Sequence, residues 1–134
     1  FSERILGPLS LDCSMPSYPK DPTLCETALL ARLNSSQGQS VNILASVGGA
    51  QPDRQELTIK GSRKSRRITD FYLDTVSDGT PFTELYDYPI DPRANSLKAQ
   101  LDELLLCLKG KPHRLATIDE ALRVQKLVER MLMN

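Results

Sequence analysis

The sequence predicts an α+β fold, an open and mostly antiparallel sheet of about six strands with two C-terminal helices packed on one face. Strand-like alternation and turn residues fill the first two-thirds of the chain, apolar residues recur at helical spacing from Leu97 onward, and capping residues precede both helical stretches. At 134 residues the chain has the size of one domain. We therefore expect residues 1–134 to form a single domain.

The first three predicted strands precede Gly48 and are separated by turn-forming residues. In the first, apolar residues alternate with serine and aspartate, at Leu9, Leu11, Cys13 and Met15. Glu26–Leu33 is the second, and the polar residues 34–38 form a hairpin turn after it. In the third, one face carries Val41, Ile43, Ala45 and Val47. Each pattern predicts a strand with an apolar face.

Three further strands are predicted between residues 56 and 88. Glu56–Lys60 is the fourth, and Gly61–Ser65 turns the chain into a long fifth strand, Arg66–Thr75. The dense turn residues 78–81 lead to a sixth strand, Phe82–Tyr88.

Two helices are predicted from local signals. Asp91 caps the first, Pro92 occupies its first position and Gly110 suits its left-handed exit. Its apolar stripe is Leu97, Leu101, Leu104, Leu105 and Leu108. Thr117 and Glu120 form a capping box for the second helix. Its predicted core residues are Ile118, Ala121, Leu122, Leu127, Val128, Met131 and Leu132.

The helices can cover only one face of the predicted sheet. Six strands spaced ~4.8 Å apart span about 29 Å, and two helices about 10 Å wide cover one such face. Several strands nevertheless carry apolar residues on both faces. In the second strand, Leu29, Ala31 and Leu33 lie on one face and Ala28 and Leu30 on the other. In the fifth, Phe71 and Leu73 oppose Ile68 and Tyr72. In the third, Leu44 lies on the otherwise polar face. The pattern favours an interface with a second copy over scattered surface leucines.

Three segments, in order, carry a resemblance to a known family: PSYPKDPTLCETALLARL, ELTIKGSRKSRRITDFY and GKPHRLATIDEALRVQKLVE. From about Leu6 onward the chain resembles the C-terminal domain of the glucose-fructose oxidoreductase / inositol dehydrogenase / MocA family. The resemblance implies a substrate-binding and dimerisation domain of an NAD(P)-dependent oxidoreductase that acts on a sugar, a cyclitol or a related hydroxy metabolite. It also implies a homo-oligomer formed through the open sheet face.

The departures from that family concern its chemistry. The chain has no GxGxxG turn, because Gly48-Gly49 is followed by Ala-Gln-Pro and no helix signal. The family's Glu-Lys-Pro motif is absent, and the only histidine, His113, is misplaced for its Asp-xxx-His pair. We expect the N-terminal dinucleotide-binding domain to be absent from this chain, consistent with a non-methionine first residue, Phe1. No catalytic, cofactor-binding or metal residue is assigned, the substrate-binding residues are unknown, and NAD or NADP belongs to the presumed full-length enzyme.

Other groupings favour ordinary surface roles. Four cations at Arg63, Lys64, Arg66 and Arg67 could hold an anion but fit a solvated hairpin tip better. His113 is interpreted as a surface histidine, and the acidic residues between 70 and 91 as exposed or ion-paired. Tyr18 and Lys20 are weaker candidates for substrate approach.

Composition narrows the class of partner. Lysine plus arginine equals aspartate plus glutamate at 17 each, which argues against nucleic acid, and no apolar run approaches the ~20 residues of a membrane span. Three cysteines without CxxC spacing indicate reduced thiols and a cytoplasmic protein. The alternative to an enzyme domain is a self-contained, non-catalytic dimeric interaction module.

Overall fold

A computed structural model describes residues 1–87 and 91–133. Its elements in chain order are α1 (Ser2–Leu6), β1 (Leu9–Ser17), β2 (Ala28–Ser35), β3 (Ser40–Ser46), β4 (Glu56–Lys60), β5 (Ser65–Thr69), β6 (Leu73–Ser77), β7 (Thr83–Glu84), α2 (Pro92–Leu108) and α3 (Ile118–Leu132). The α+β class, the open antiparallel sheets and the two C-terminal helices are confirmed. The strands form two sheets, β1-β2-β3 and β4-β5-β6-β7, where the sequence suggested one.

The chain divides into two compact units. Unit 1 comprises Phe1–Gln51 and Ala116–Asn134, and unit 2 comprises Pro52–Leu115. The three-stranded sheet and α3 belong to unit 1, whereas the four-stranded sheet and α2 belong to unit 2.

The core of unit 1 lies between the three-stranded sheet and the C-terminal half of α3. Leu29, Ala31 and Leu33 project from one face of the central strand β2 and are buried against Leu127 and Met131 of α3. Partly buried residues surround this cluster, namely Leu9, Leu11, Val41, Ile43, Val128 and Leu132. The alternation predicted for β2 and β3 is therefore correct over the part that packs.

A β-bulge changes the faces of β1. Leu11 pairs with Leu33, and the next paired residue, Cys13, stands opposite Arg32, so Asp12 is the extra residue. Beyond the bulge the alternation is inverted, with Ser14 buried and Met15 66% exposed. The prediction that Cys13 and Met15 share a face with Leu9 and Leu11 is wrong for this reason.

Unit 2 contains a hairpin where the sequence predicted one long strand. The predicted strand Arg66–Thr75 is wrong, because the chain turns at Asp70 and Phe71, whose φ angles are 50° and 65°. The amide of Tyr72 donates to the carbonyl of Thr69 at 3.1 Å, which closes a tight two-residue turn. The predicted sixth strand is reduced to Thr83–Glu84, and its last residue, Tyr88, lies outside the described residues.

The capping residues at both ends of α2 act as predicted. The carboxylate of Asp91 accepts from the amide of Arg93 at 3.0 Å. At the other end, Gly110 adopts a φ of 65°, and the amide of Lys111 donates to the carbonyl of Leu106 at 3.0 Å, as in a Schellman motif. The leucine stripe of α2 stays 43–76% exposed.

The start of α3 is held by the predicted capping box. The amide of Glu120 donates to Thr117 Oγ1 at 3.1 Å, and the amide of Thr117 donates to Glu120 Oε2 at 2.8 Å. Only the second half of the helix packs on the sheet, because Ile118 is 87% and Leu122 48% exposed. The prediction that these two residues belong to the core is wrong.

Candidate interaction surface on the three-stranded sheet

An apolar row crosses the side of the three-stranded sheet that α3 does not cover. Met15 pairs with Leu30, and Leu30 pairs with Leu44, so the three side chains lie side by side across β1, β2 and β3. They are 66%, 48% and 79% exposed. We call the surface formed by Asp12, Cys13, Met15, Leu30, Arg32, Asn42 and Leu44 the open face.

One acidic and one basic group accompany this row. The bulge keeps both Asp12 and Cys13 exposed, next to Arg32 on the neighbouring strand. Arg32 Nε lies 3.8 Å from Asp12 Oδ2, with both side chains about half exposed, and its guanidinium donates to Ser40 Oγ at 3.3 Å. Asp12 and Arg32 are the only charged residues within β1, β2 and β3, so the charge of the open face sums to zero.

The physical properties of the open face suit a protein partner. Apolar side chains aligned on an exposed sheet have no stabilising contact in water, and such patches commonly mark interaction sites. Three strands of about seven residues give roughly 14 Å by 23 Å, or about 320 Å² per copy. A standard stable interface buries about 800 Å² per partner. The open face by itself therefore supports a weak association.

The basic hairpin of unit 2 is partly neutralised by its own neighbours. Arg66 pairs with Asp74, and that hydrogen bond raises the pKa of the guanidinium. Arg67 Nε lies 3.5 Å from Glu56, and its Cζ lies 4.1 Å from the centre of the Phe82 ring. Hydrogen bonds, chiefly from Arg54, lower the pKa of Glu56.

A shallow cleft of about 240 Å³ lies beside this hairpin. Arg63 and Lys64 line it together with Asp78 from the next turn. Hydrogen bonds from Thr80 lower the pKa of Asp78, so a carboxylate faces the same cleft as the two cations. The mixture of charges favours the solvated hairpin tip over a site for anions.

The other candidates from the sequence are engaged locally or exposed. Nδ1 of His113 accepts from the amide of Leu115 at 3.3 Å. The hydroxyl of Tyr18 donates to the carbonyl of Leu132 at 2.6 Å, which ties the proline-rich loop to the end of α3, and Lys20 is exposed. The hydroxyl of Tyr18 therefore has a structural contact within unit 1.

Groups that could hold a metal or a disulfide are separated. Over residues 1–87 and 91–133, no three His, Cys, Asp or Glu side chains are grouped to hold a metal ion. Cys13, Cys25 and Cys107 are free thiols. Gly48 and Gly49 have φ angles of 87° and 91° in the connection between β3 and β4.

The sequence pattern missed the polar part of the open face. Simple alternation placed Asp12 opposite Cys13 and Met15, and only the bulge brings the three residues to one side. The available signal was an aspartate inside a strand, a residue that strands disfavour and that is more easily accommodated at a bulge.

Comparison with protein-family models, curated proteins and solved structures finds no match for this chain. Among the described residues, no helix combines the length and the apolar character needed to cross a bilayer.

Proposed function

We propose that this chain is the substrate-binding and dimerisation domain of an NAD(P)-dependent oxidoreductase that acts on a sugar, a cyclitol or a related hydroxy metabolite. The observation that carries the proposal is the open face, an aligned apolar row on the sheet side opposite α3. The order of the three segments that resemble the glucose-fructose oxidoreductase / inositol dehydrogenase / MocA family supports the same assignment.

The architecture supports a scaffolding role over a catalytic one. The last helix seals one face of the sheet with Leu127 and Met131, and the other face presents apolar groups to a partner. His113, the only histidine, accepts a hydrogen bond from its own connector. The chain would contribute a wall of the substrate pocket and a subunit contact, while a nucleotide-binding domain supplies NAD or NADP and proton transfer. The three free thiols agree with a cytoplasmic enzyme.

The enzymatic part of the proposal is tested by activity. The 134-residue chain is incubated with NAD⁺ or NADP⁺ and a panel of sugars and cyclitols, and the absorbance of the reduced nicotinamide is followed. We expect no turnover and no saturable binding of either nucleotide. Turnover by this polypeptide without another domain would overturn the assignment.

The dimerisation part is tested by sedimentation across a concentration series that extends to hundreds of micromolar. We expect a weak dimer for the chain and a monomer for Leu30→Asp, because a carboxylate at the centre of the apolar row would be desolvated in the contact. Ile118→Asp is the matched control, since Ile118 is 87% exposed and lies on α3 away from the open face. A wild-type monomer throughout the series would refute the dimer.

A non-catalytic interaction module is the second candidate. The open face favours it equally, because dimerisation through this surface needs no second domain. The two candidates differ in the coding sequence ahead of Phe1. A dinucleotide-binding fold encoded there supports the oxidoreductase, and its absence supports the module.

A further inference from the structure

We propose that two copies of the open face meet about a two-fold axis parallel to the strands and between β1 and β2. In this arrangement Asp12 of each copy faces Arg32 of the other. The inference rests on the dimer of the proposed function and adds the position of its axis and its specificity-determining pair.

The charge distribution favours this axis. Arg32 pairs with Cys13, and the adjacent bulge residue Asp12 has its carboxylate 3.8 Å from the Arg32 guanidinium, so the two charged groups lie side by side on neighbouring strands. A two-fold axis between those strands exchanges β1 and β2, so it superimposes each carboxylate on the second copy's guanidinium. The occupant that matches both charges at once is a second copy of this chain.

Alternative axes give poorer electrostatics. An axis over β2 would place Arg32 against the second copy's Arg32, which is a like-charge contact. An axis perpendicular to the strands at the apolar row would place Arg32 over Ala28 of the second copy, with no opposite charge there. Burying Arg32 in the contact is unfavourable when the second copy offers it no opposite charge.

Asp12 and Arg32 of one copy can each form a further hydrogen bond with the second copy. Its separation of 3.8 Å exceeds the ~2.7–2.9 Å of a charge-assisted hydrogen bond. A guanidinium carries about five donors and a carboxylate about four acceptor sites. A cross-dimer contact would therefore add to the pair within each copy.

The same axis arranges the apolar row. Met15 lies over Leu30 of the second copy, and Leu30 over Met15, because their strands are exchanged. Aligned packing of two sheets allows this with a crossing angle of about 30° from sheet twist.

Cys13 provides an independent distance test. With sheets ~10 Å apart and strands ~4.8 Å apart, the Cα atoms of the two Cys13 residues are about 11 Å apart. A disulfide requires less than about 7 Å, so these thiols would not form one directly. A short bis-maleimide would join them.

The decisive experiment mixes two charge-reversal variants. Asp12→Arg alone places two guanidinium groups together at each contact with Arg32, and Arg32→Asp alone places two carboxylates together. Each variant is therefore expected to associate at least ~10-fold more weakly than wild type. An equimolar mixture restores opposite-charge contacts in a heterodimer. Its dissociation constant is expected within about threefold of wild type, measured by sedimentation with one variant labelled. Circular dichroism checks folding of both variants.

The possible outcomes distinguish a failure of the proposed axis from a failure of the proposed dimerisation. A wild-type monomer would refute the dimer itself. A wild-type dimer that Asp12→Arg does not weaken, or that shows no recovery in the mixture, would overturn the axis alone, because an axis over β2 would place residue 12 against the neutral Asn42. Crosslinking provides the second measurement. With Cys25→Ser and Cys107→Ser, a bis-maleimide should give a covalent dimer, and no crosslink in a sedimenting dimer would also overturn the axis.

Discussion

Unit 1 contains all five buried apolar side chains of the described residues, whereas the described part of unit 2 contains a single buried residue, Ser77. Both units have an antiparallel sheet and a long helix. In unit 1 the helix α3 packs on β1 and seals a core, but in unit 2 the leucines of α2 remain exposed. Sheet and helix content therefore does not determine stability, because apolar area must be removed from water for either element to contribute.

The comparison has a consequence for local opening. A sheet needs a packed apolar face for independent stability in water, and regions with few buried contacts open at lower free energy. Unit 2 relies on cross-strand pairs such as Arg66 with Asp74 and Arg67 with Glu56. We expect its amides to exchange with solvent faster than those of β2.

The largest expected effect is in the core of unit 1. Leu33 is 3% exposed, so Leu33→Ala should lower the free energy of unfolding by about 2–4 kcal/mol, measured by urea denaturation. Leu30→Ala is the matched control on the opposite face of β2 and should cost less than ~1 kcal/mol. Equal losses for the two variants would contradict the burial asymmetry of that strand.

A smaller effect is expected from the turn between β4 and β5 in unit 2. A Cβ on Gly61 would lie 2.5 Å from the carbonyl oxygen of Lys64, so Gly61→Ala forces the backbone to shift. We expect a loss of about 1–2 kcal/mol, seen as faster amide exchange in β4 and β5 only. Ser62→Ala is the control and should leave exchange unchanged. Faster amide exchange in β2 as well would show that the two units do not open independently.

Stabilising the turn between β5 and β6 should raise the stability of unit 2 and bring it closer to that of unit 1. Phe71 has a φ of 65° and is 58% exposed, and a side chain in this conformation is strained. Phe71→Gly should relieve that strain and slow exchange in β5 and β6 by an amount worth about 0.5–1 kcal/mol. Tyr72→Gly is the contrasting variant, and stabilisation by it would contradict the assignment of strain to Phe71.

The smallest expected effect is the pH dependence of the helix caps. Hydrogen bonds from Arg93 lower the pKa of Asp91 in unit 2 from its ordinary 3.8. In unit 1, bonds from Thr117 and Arg4 lower the pKa of Glu120 from its ordinary 4.5. A lowered folded pKa stabilises the fold above the ordinary value, and this contribution disappears as pH falls through the folded value.

Denaturation between about pH 7 and pH 2 measures this linkage. We expect stability to fall as the pH drops below the ordinary 4.5 of a glutamate, and Asp91→Asn and Glu120→Gln each to flatten part of that fall. The effect is small because both carboxyls are exposed and screened. Glu120→Gln with the same pH dependence as wild type would show that the capping box does not depend on the carboxylate.

The sequence was most informative where a few neighbouring residues determine the structure. The caps at Asp91 and Thr117 and the exit at Gly110 are local hydrogen-bond arrangements, so they could be predicted. The alternation of β2 was equally clear, because a central strand against a helix has one buried face.

The remaining errors have non-local causes. The Asp70-Phe71 turn lacks the glycine or asparagine typical of positive φ, so its sequence resembles a continuous strand. Division into two sheets depends on which strands pair, and periodicity does not specify pairing. On the candidate surface, Leu30 and Leu44 could be predicted to be exposed, whereas Asp12 and Met15 required the bulge.

The bulge has a consequence for the evolution of this surface. Before Asp12, odd-numbered residues such as Leu9 and Leu11 point toward the core, and after it even-numbered residues such as Ser14 take that direction. Asp12 thus shifts the alternation of inward and outward side chains along β1 by one residue number. A single codon deletion of Asp12 would leave Cys13, Ser14 and Met15 opposite Arg32, Ala31 and Leu30 as they are now. Such a lineage would keep the apolar row and lose the acidic group of the open face, so the row and its charge can change independently.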